Sequence, residues 1–140
     1  MEQLIQLLYL DELDPSGILY PSPVVVNAVG EFEKLIQKYD GVLGECSVPD
    51  GVNWDGEPDL RYMTIDLGRV SHIVKHVWIE KRKMMCKVKL LGKYAEIAKL
   101  MNLEFKGVPR ATGVIEGKEP ERVCTKYDII TVDLALTVLD

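Results

Sequence analysis

The stretch MTIDLGRVSHIVKHVWIEKRKMMCKVKL, Met63–Leu90, decides the fold. Thr64, Ile65, Val70, Ile73, Val74, Val77 and Ile79 carry branched β-carbons, which crowd a helix and suit a pleated strand. The pattern predicts a strand over Met63 to Glu80. Glu80-Lys81-Arg82-Lys83 then reads as a hairpin turn, although it lacks the Asn-Gly pair that favours a two-residue turn. Beyond it Cys86, Val88 and Leu90 alternate with Lys87 and Lys89, giving a returning strand with one dry and one wet face. Cys86 falls on the dry face and reads as core.

On the N-terminal side, Leu4 to Leu10 is a short apolar run stopped by the turn formers of Asp11–Gly17, a strand leading into a loop. Ser22-Pro23 reads as an N-cap followed by proline at the first helical position. Val25, Ala28, Val29, Phe32, Leu35 and Ile36 then recur at three and four residues, an amphipathic helix ending around Lys38 and Gly41. A short apolar run at Val42-Leu43 precedes a long polar loop that reaches Leu60.

Towards the C-terminus, Tyr94, Ile97, Ala98 and Met101 have helical spacing within Gly92 to Leu103. Phe105 to Ile115 is extended and interrupted by Pro109, and Tyr127 to Leu139 forms a closing strand. This order lacks β-α-β regularity, so the expected class is α+β: a mainly antiparallel β-barrel or strongly curved sheet with two flanking helices.

Composition narrows the function. The chain has 140 residues, 47% hydrophobic and 28% charged, enough for one core. Acidic residues outnumber basic ones, 22 to 17, for a formal charge of −5. That is the wrong sign for holding a phosphate backbone, so no nucleic-acid partner is expected. No apolar run is long enough for a membrane span, and the N-terminus has no signal-peptide pattern. The three cysteines, Cys46, Cys86 and Cys124, make no C-x-x-C pair, which fits a reducing compartment without a disulfide framework.

Two constellations invite a metal. His72 and His76 have the H-x-x-x-H spacing, but four residues along a strand span roughly 13 Å, too far to share one ion. They read instead as histidines on one strand face near Trp78. Asp50, Asn53, Asp55, Glu57 and Asp59 crowd one loop without completing a calcium-binding pattern, since Gly51 and Tyr62 stand where acidic ligands are needed. Neither metal nor cofactor is expected, and no glycine-rich phosphate loop is present. Trp54 in that loop is either a contact residue or a loop anchor. The basic run Lys81-Arg82-Lys83 reads as a solvated turn.

Four segments together carry a family likeness. Ser16-Gly17-Ile18-Leu19-Tyr20-Pro21 is similar to an N-G-R-x-Y-P entry to a first helix, and Leu43-Gly44-Glu45-Cys46-Ser47-Val48-Pro49-Asp50 to an L-G-E-L-D-H-P-D motif. Ile65 to Val74 is similar to V-D-L-N-R-V-S-H-L-I, and Tyr127 to Asp133 to F-E-L-I-T-V-D. In this order they resemble the prohead (capsid maturation) serine proteases of tailed phages, which share a β-barrel fold with the herpesvirus assembly proteases. The resemblance implies one domain over residues 1–140, holding the barrel and little else. It also implies host-cytoplasmic action during assembly or a place in the virion head, and partners among major capsid or scaffold proteins, with self-association a further expectation.

The resemblance also marks where the chain departs from the family. The catalytic histidine would stand at Val48, which cannot take a proton. The nucleophile motif G-V-S-S-R-G has its nearest counterpart in Gly107–Gly113, where Pro109 and Arg110 occupy both serine positions without a hydroxyl. The leading expectation is therefore a non-catalytic homologue, a structural or assembly component of the phage head, with Trp54, Asp55 and Glu57 as partner-binding candidates. The alternative is an active maturation peptidase with a rebuilt nucleophile, Cys46 or Thr112, served by His72.

Overall fold

The computed structural model describes residues 2–46, 60–100, 103–118 and 121–138. In chain order these form β1 (Glu2–Tyr9), β2 (Ile18–Leu19), α1 (Ser22–Tyr39), β3 (Val42–Glu45), α2 (Leu60–Met63), a 3₁₀ turn (Leu67–Arg69), β4 (Val70–Glu80), β5 (Lys83–Leu90), α3 (Gly92–Leu100), β6 (Leu103–Lys118) and β7 (Glu121–Val138). The architecture is α+β, as the order of segments predicts. Val48, Trp54, Asp55, Glu57 and the rest of the acidic loop up to Asp59 lie outside the described residues.

The strands do not close into a barrel. They form two sheets, one ordered β1-β5-β4-β3 and the other β2-β7-β6. Pairing is antiparallel except between β2 and β7. Among the described residues, an isolated parallel bridge from Cys46, just past β3, to Leu134 of β7 links the two sheets. β1 and β6 remain terminal strands that pack against each other by side chains: a β-carbon on Gly107 would lie 2.4 Å from Leu7 Cδ2 and 2.9 Å from Ile5 Cγ2.

The central hairpin follows its sequence pattern. Met84, Cys86, Val88 and Leu90 are buried while the intervening residues of β5 are more exposed. Lys81 and Arg82 both take positive φ, 48° and 63°, the conformation of a type I′ turn. The strand before it begins later than its β-branched residues imply. Met63 closes α2, and Asp66 caps the 3₁₀ turn by accepting the Gly68 N–H at 2.9 Å, so extended structure starts at Val70.

Helix α1 buries Val25, Ala28, Val29, Phe32 and Ile36 against β7 and β4, whereas Leu35 faces solvent. Ser22 is not its N-cap. Pro21 holds that position and offers only its carbonyl, while the Ser22 N–H and hydroxyl both donate to the Asp11 carboxylate. An anion from the preceding loop thus meets the positive end of the helix. Asp40 ends it in the left-handed conformation. Helix α3, Gly92–Leu100, keeps no fully buried residue.

Proline at position 109 does not interrupt β6, which runs continuously and pairs Pro109 with Val132. A terminal strand needs no N–H on its open side, so proline is tolerated there. None of the described helices is long and apolar enough to cross a membrane.

Candidate functional site

Asp133 stands in the apolar run Ile129–Leu136 of β7, at a position with no solvent exposure. A buried carboxylate there requires charged or hydrogen-bonding partners, and Arg110 on the neighbouring strand β6 supplies them. Its Nε donates to Asp133 Oδ2 at 2.8 Å and its Nη2 to Oδ1 at 2.7 Å, a two-pronged fork. The second proton of Nη2 reaches Glu45 Oε2 at 2.9 Å, and Nη1 donates to the carbonyls of Thr64 and Tyr62 at 2.8 and 3.2 Å. All five guanidinium N–H groups are therefore engaged, which is what makes burial of this cation tolerable.

Glu45, at the end of β3, gathers three cations. Beside Arg110 it accepts both Nη groups of Arg61, and Arg69 Nε lies 3.6 Å from its Oε1. The Asp66 N–H also donates to its Oε2, and its own N–H donates to Asp133 Oδ1 at 3.1 Å. Burial pushes the Glu45 carboxyl upward, but Arg61, Arg110 and the Asp66 N–H outweigh it and hold the group down at about 2. Burial likewise pulls Arg110 down, and Asp133 and Glu45 more than restore it. Both stay ionised at neutral pH.

Tyr62 completes the cluster. Its ring lies 5.8 Å from the Arg110 guanidinium carbon, and its hydroxyl donates to the Ala111 carbonyl and accepts the Ala111 N–H, both at 2.8 Å. Those backbone groups lie beside the register shift between Arg110 and Ala111 in the β6–β7 pairing.

Three of the charged members come from the segments that carry the family likeness, while Arg61 lies outside them. Glu45 belongs to Leu43–Asp50, Arg69 to Ile65–Val74, Asp133 to Tyr127–Asp133, and Arg110 stands at an expected serine position. The fold brings these segments to one point. The protein-family models and the curated proteins contain no match to the chain. A solved structure, that of the bacteriophage T4 capsid assembly protease, gp21, is similar, with a TM-score of 0.73 and 15% sequence identity. The likeness covers 96% of this chain and 80% of the phage protein.

The chain has a prohead protease-like fold.

Within that fold the sequence-predicted residues are placed apart. His72 on β4 is fully buried: its Nε2 faces the Val132 carbonyl at 2.6 Å and its Nδ1 faces the Ser71 hydroxyl at 2.7 Å. A carbonyl only accepts, so Nε2 carries the proton and Nδ1 accepts from Ser71. Burial lowers the affinity of the ring for a second proton, against smaller upward effects of Val132 and Asp133. The imidazole is neutral, and both nitrogens are occupied by groups other than Cys46 or Thr112. Thr112 pairs with Asp128, four residues along β7 from Val132, a separation of roughly 13 Å. Cys46 bridges to Leu134, two residues beyond Val132 in the other direction.

His76 does not share a face with His72. A register shift between Val74 and His76 inverts the alternation, leaving His76 exposed, so the expected single histidine face is broken by the bulge. Among the described residues no group of three His, Cys, Asp or Glu side chains is arranged to hold a metal ion. Glu45, Arg61, Tyr62, Arg69 and Asp133 were not candidates on sequence grounds. The available signal was Asp133, an acid inside an apolar strand.

Proposed function

We propose that this chain is a non-catalytic relative of the phage prohead proteases and serves as a structural or assembly component of a phage head. The observation that carries this reading is the state of Arg110. At a position where the resemblance expects the serine nucleophile, a cation is sealed at 1% exposure and all its donors are committed to Asp133, Glu45 and two carbonyls. Neighbouring Pro109 offers neither a hydroxyl nor an N–H for an oxyanion. A site that must form charge transiently on a substrate has here become a permanently neutralised strut.

In this reading the partners are major capsid or scaffold proteins, met in the host cytoplasm during assembly. The test is to mix the purified chain with the capsid and scaffold proteins of the same phage and follow both binding and cleavage. Co-sedimentation without new fragments is the expected result. Cleavage that disappears on Cys46→Ala, Thr112→Ala or His72→Ala would overturn it in favour of a rebuilt peptidase, and absence of any capsid or scaffold component from pull-downs would remove the assembly role.

A further inference from the structure

The two terminal strands that touch at Gly107 diverge beyond it. Between Gln6–Tyr9 of β1, the loop Glu12–Pro15 and Val108-Pro109 of β6 lies an open cleft of about 750 Å³. Its charged lining is acidic only: Glu12 and Asp14. Asp14 Oδ1 accepts the N–H groups of Ser16 and Ile18, and among the described residues neither carboxylate is in an ion pair. Arg122 donates to the Ser16 carbonyl and to neither acid.

Apart from Gln6, the rest of the lining is aromatic and apolar. Tyr9, Tyr20 and Tyr127 all face the cleft, and the last two pack edge to face at 5.5 Å. Tyr20 is 8% exposed, yet its hydroxyl makes no hydrogen bond within the described chain and is not sealed in the core. A buried phenol left open on a cleft is a polar group awaiting a partner. Lys83 Nζ sits 5.8 Å over the Tyr9 ring, so that ring accepts a cation.

From this geometry we infer that the cleft binds an extended, basic peptide segment of a partner protein. Lysine or arginine heads lie between Glu12 and Asp14, their stems lie along the tyrosine rings, and a main-chain acceptor meets the Tyr20 hydroxyl. β1 provides the open edge for backbone pairing, because Pro109 leaves β6 short of one donor. The peptide chemistry of the cleft is the same whether or not the partner belongs to a capsid.

The test uses two fluorescently labelled pentapeptides, one alternating valine with lysine and one alternating valine with glutamate, titrated with the intact protein at low ionic strength. The lysine peptide is expected to bind, and the glutamate peptide not to. Glu12→Gln combined with Asp14→Asn keeps the turn acceptor and should weaken the lysine peptide about tenfold. Tyr20→Phe should weaken it less. If the double variant fails to fold, amide shifts in the unaltered protein decide, with perturbation expected along Gln6–Tyr9. Equal binding of both peptides, no binding of the lysine peptide, an unaffected double variant, or shifts confined elsewhere would each overturn the inference.

Discussion

Arg110 and Asp133, on adjacent strands and offset by two positions in register, meet through two hydrogen bonds of 2.8 and 2.7 Å with neither side chain reaching solvent. The pair joins β6 to β7, and Glu45 extends it to β3 of the other sheet. Because among the described residues one isolated backbone bridge, Cys46 to Leu134, joins the sheets here, the side-chain network holds much of that seam.

Removing the cation should therefore cost far more than a surface ion pair. Arg110→Ala strips the buried Asp133 of its fork and leaves only Arg61 and Arg69, both held on Glu45, to balance two carboxylates, and a loss of about 3–5 kcal/mol is expected. Arg110→Lys keeps the charge but cannot form the fork or reach five acceptors, so it should recover only part of that loss. Urea unfolding followed by circular dichroism measures both. A change under about 1 kcal/mol for the alanine variant would show that the network is not a strut.

Acid should unfold the protein in two stages. His72 has its proton affinity lowered by burial, so the unfolded chain takes up a proton as pH falls below 6.5 while the folded one resists, and stability declines. Glu45 titrates at about 2 when folded and near 4.5 when unfolded. Its contribution is complete above pH 4.5 and is lost as pH falls towards 2, on the order of 3 kcal/mol. Glu45→Gln should be less stable at neutral pH and should lose the steep lower part of the curve. Stability measured from pH 8 to pH 2 in both proteins checks the assignment.

Which of these features could be read before the structure depends on the range of the interaction that makes them. The hairpin of β4 and β5 was legible because alternation at Cys86, Val88 and Leu90 is a local consequence of the pleat. The Val74–His76 bulge was not, since one inserted residue leaves no compositional mark, and with it went the face of His76. Met63–Arg69 has strand-forming residues but is turned aside where Arg61, Tyr62 and Asp66 dock on Glu45 and Ala111. A mainly antiparallel β-barrel or strongly curved sheet is the expectation, and the barrel does not form because β1 and β6 meet at Gly107 through side chains. Glu45, Arg110 and Asp133 are 65 and 23 residues apart, and only the acid within an apolar run hinted at their meeting.

Two glycines should respond oppositely to alanine. At Gly44 a β-carbon would lie 2.2 Å from His72 Nε2 and 2.3 Å from the Val132 carbonyl oxygen. The carbonyl is backbone and cannot swing aside, so Gly44→Ala should destabilise by about 3 kcal/mol or more. Gly30 lies within α1 with nothing within 4 Å of the added carbon. Gly30→Ala should stabilise by about 0.5–1 kcal/mol. Thermal unfolding of both variants tests the close approach of β3 to β7, and a neutral Gly44→Ala would refute it.

Tyr62→Phe isolates the last connection. The phenol ring stays in place beside Arg110, but the hydroxyl that both donates to and accepts from Ala111 is lost. Two backbone groups at a bulge are then left without that partner in a buried position, at a cost of about 1–3 kcal/mol. The expected signature is local as well as global: the Ala111 amide should exchange its hydrogen faster in the variant, while amides in the β4–β5 hairpin slow or quicken only with overall stability. Unchanged exchange at Ala111 would mean that the β6–β7 ladder, and not Tyr62, protects the bulge.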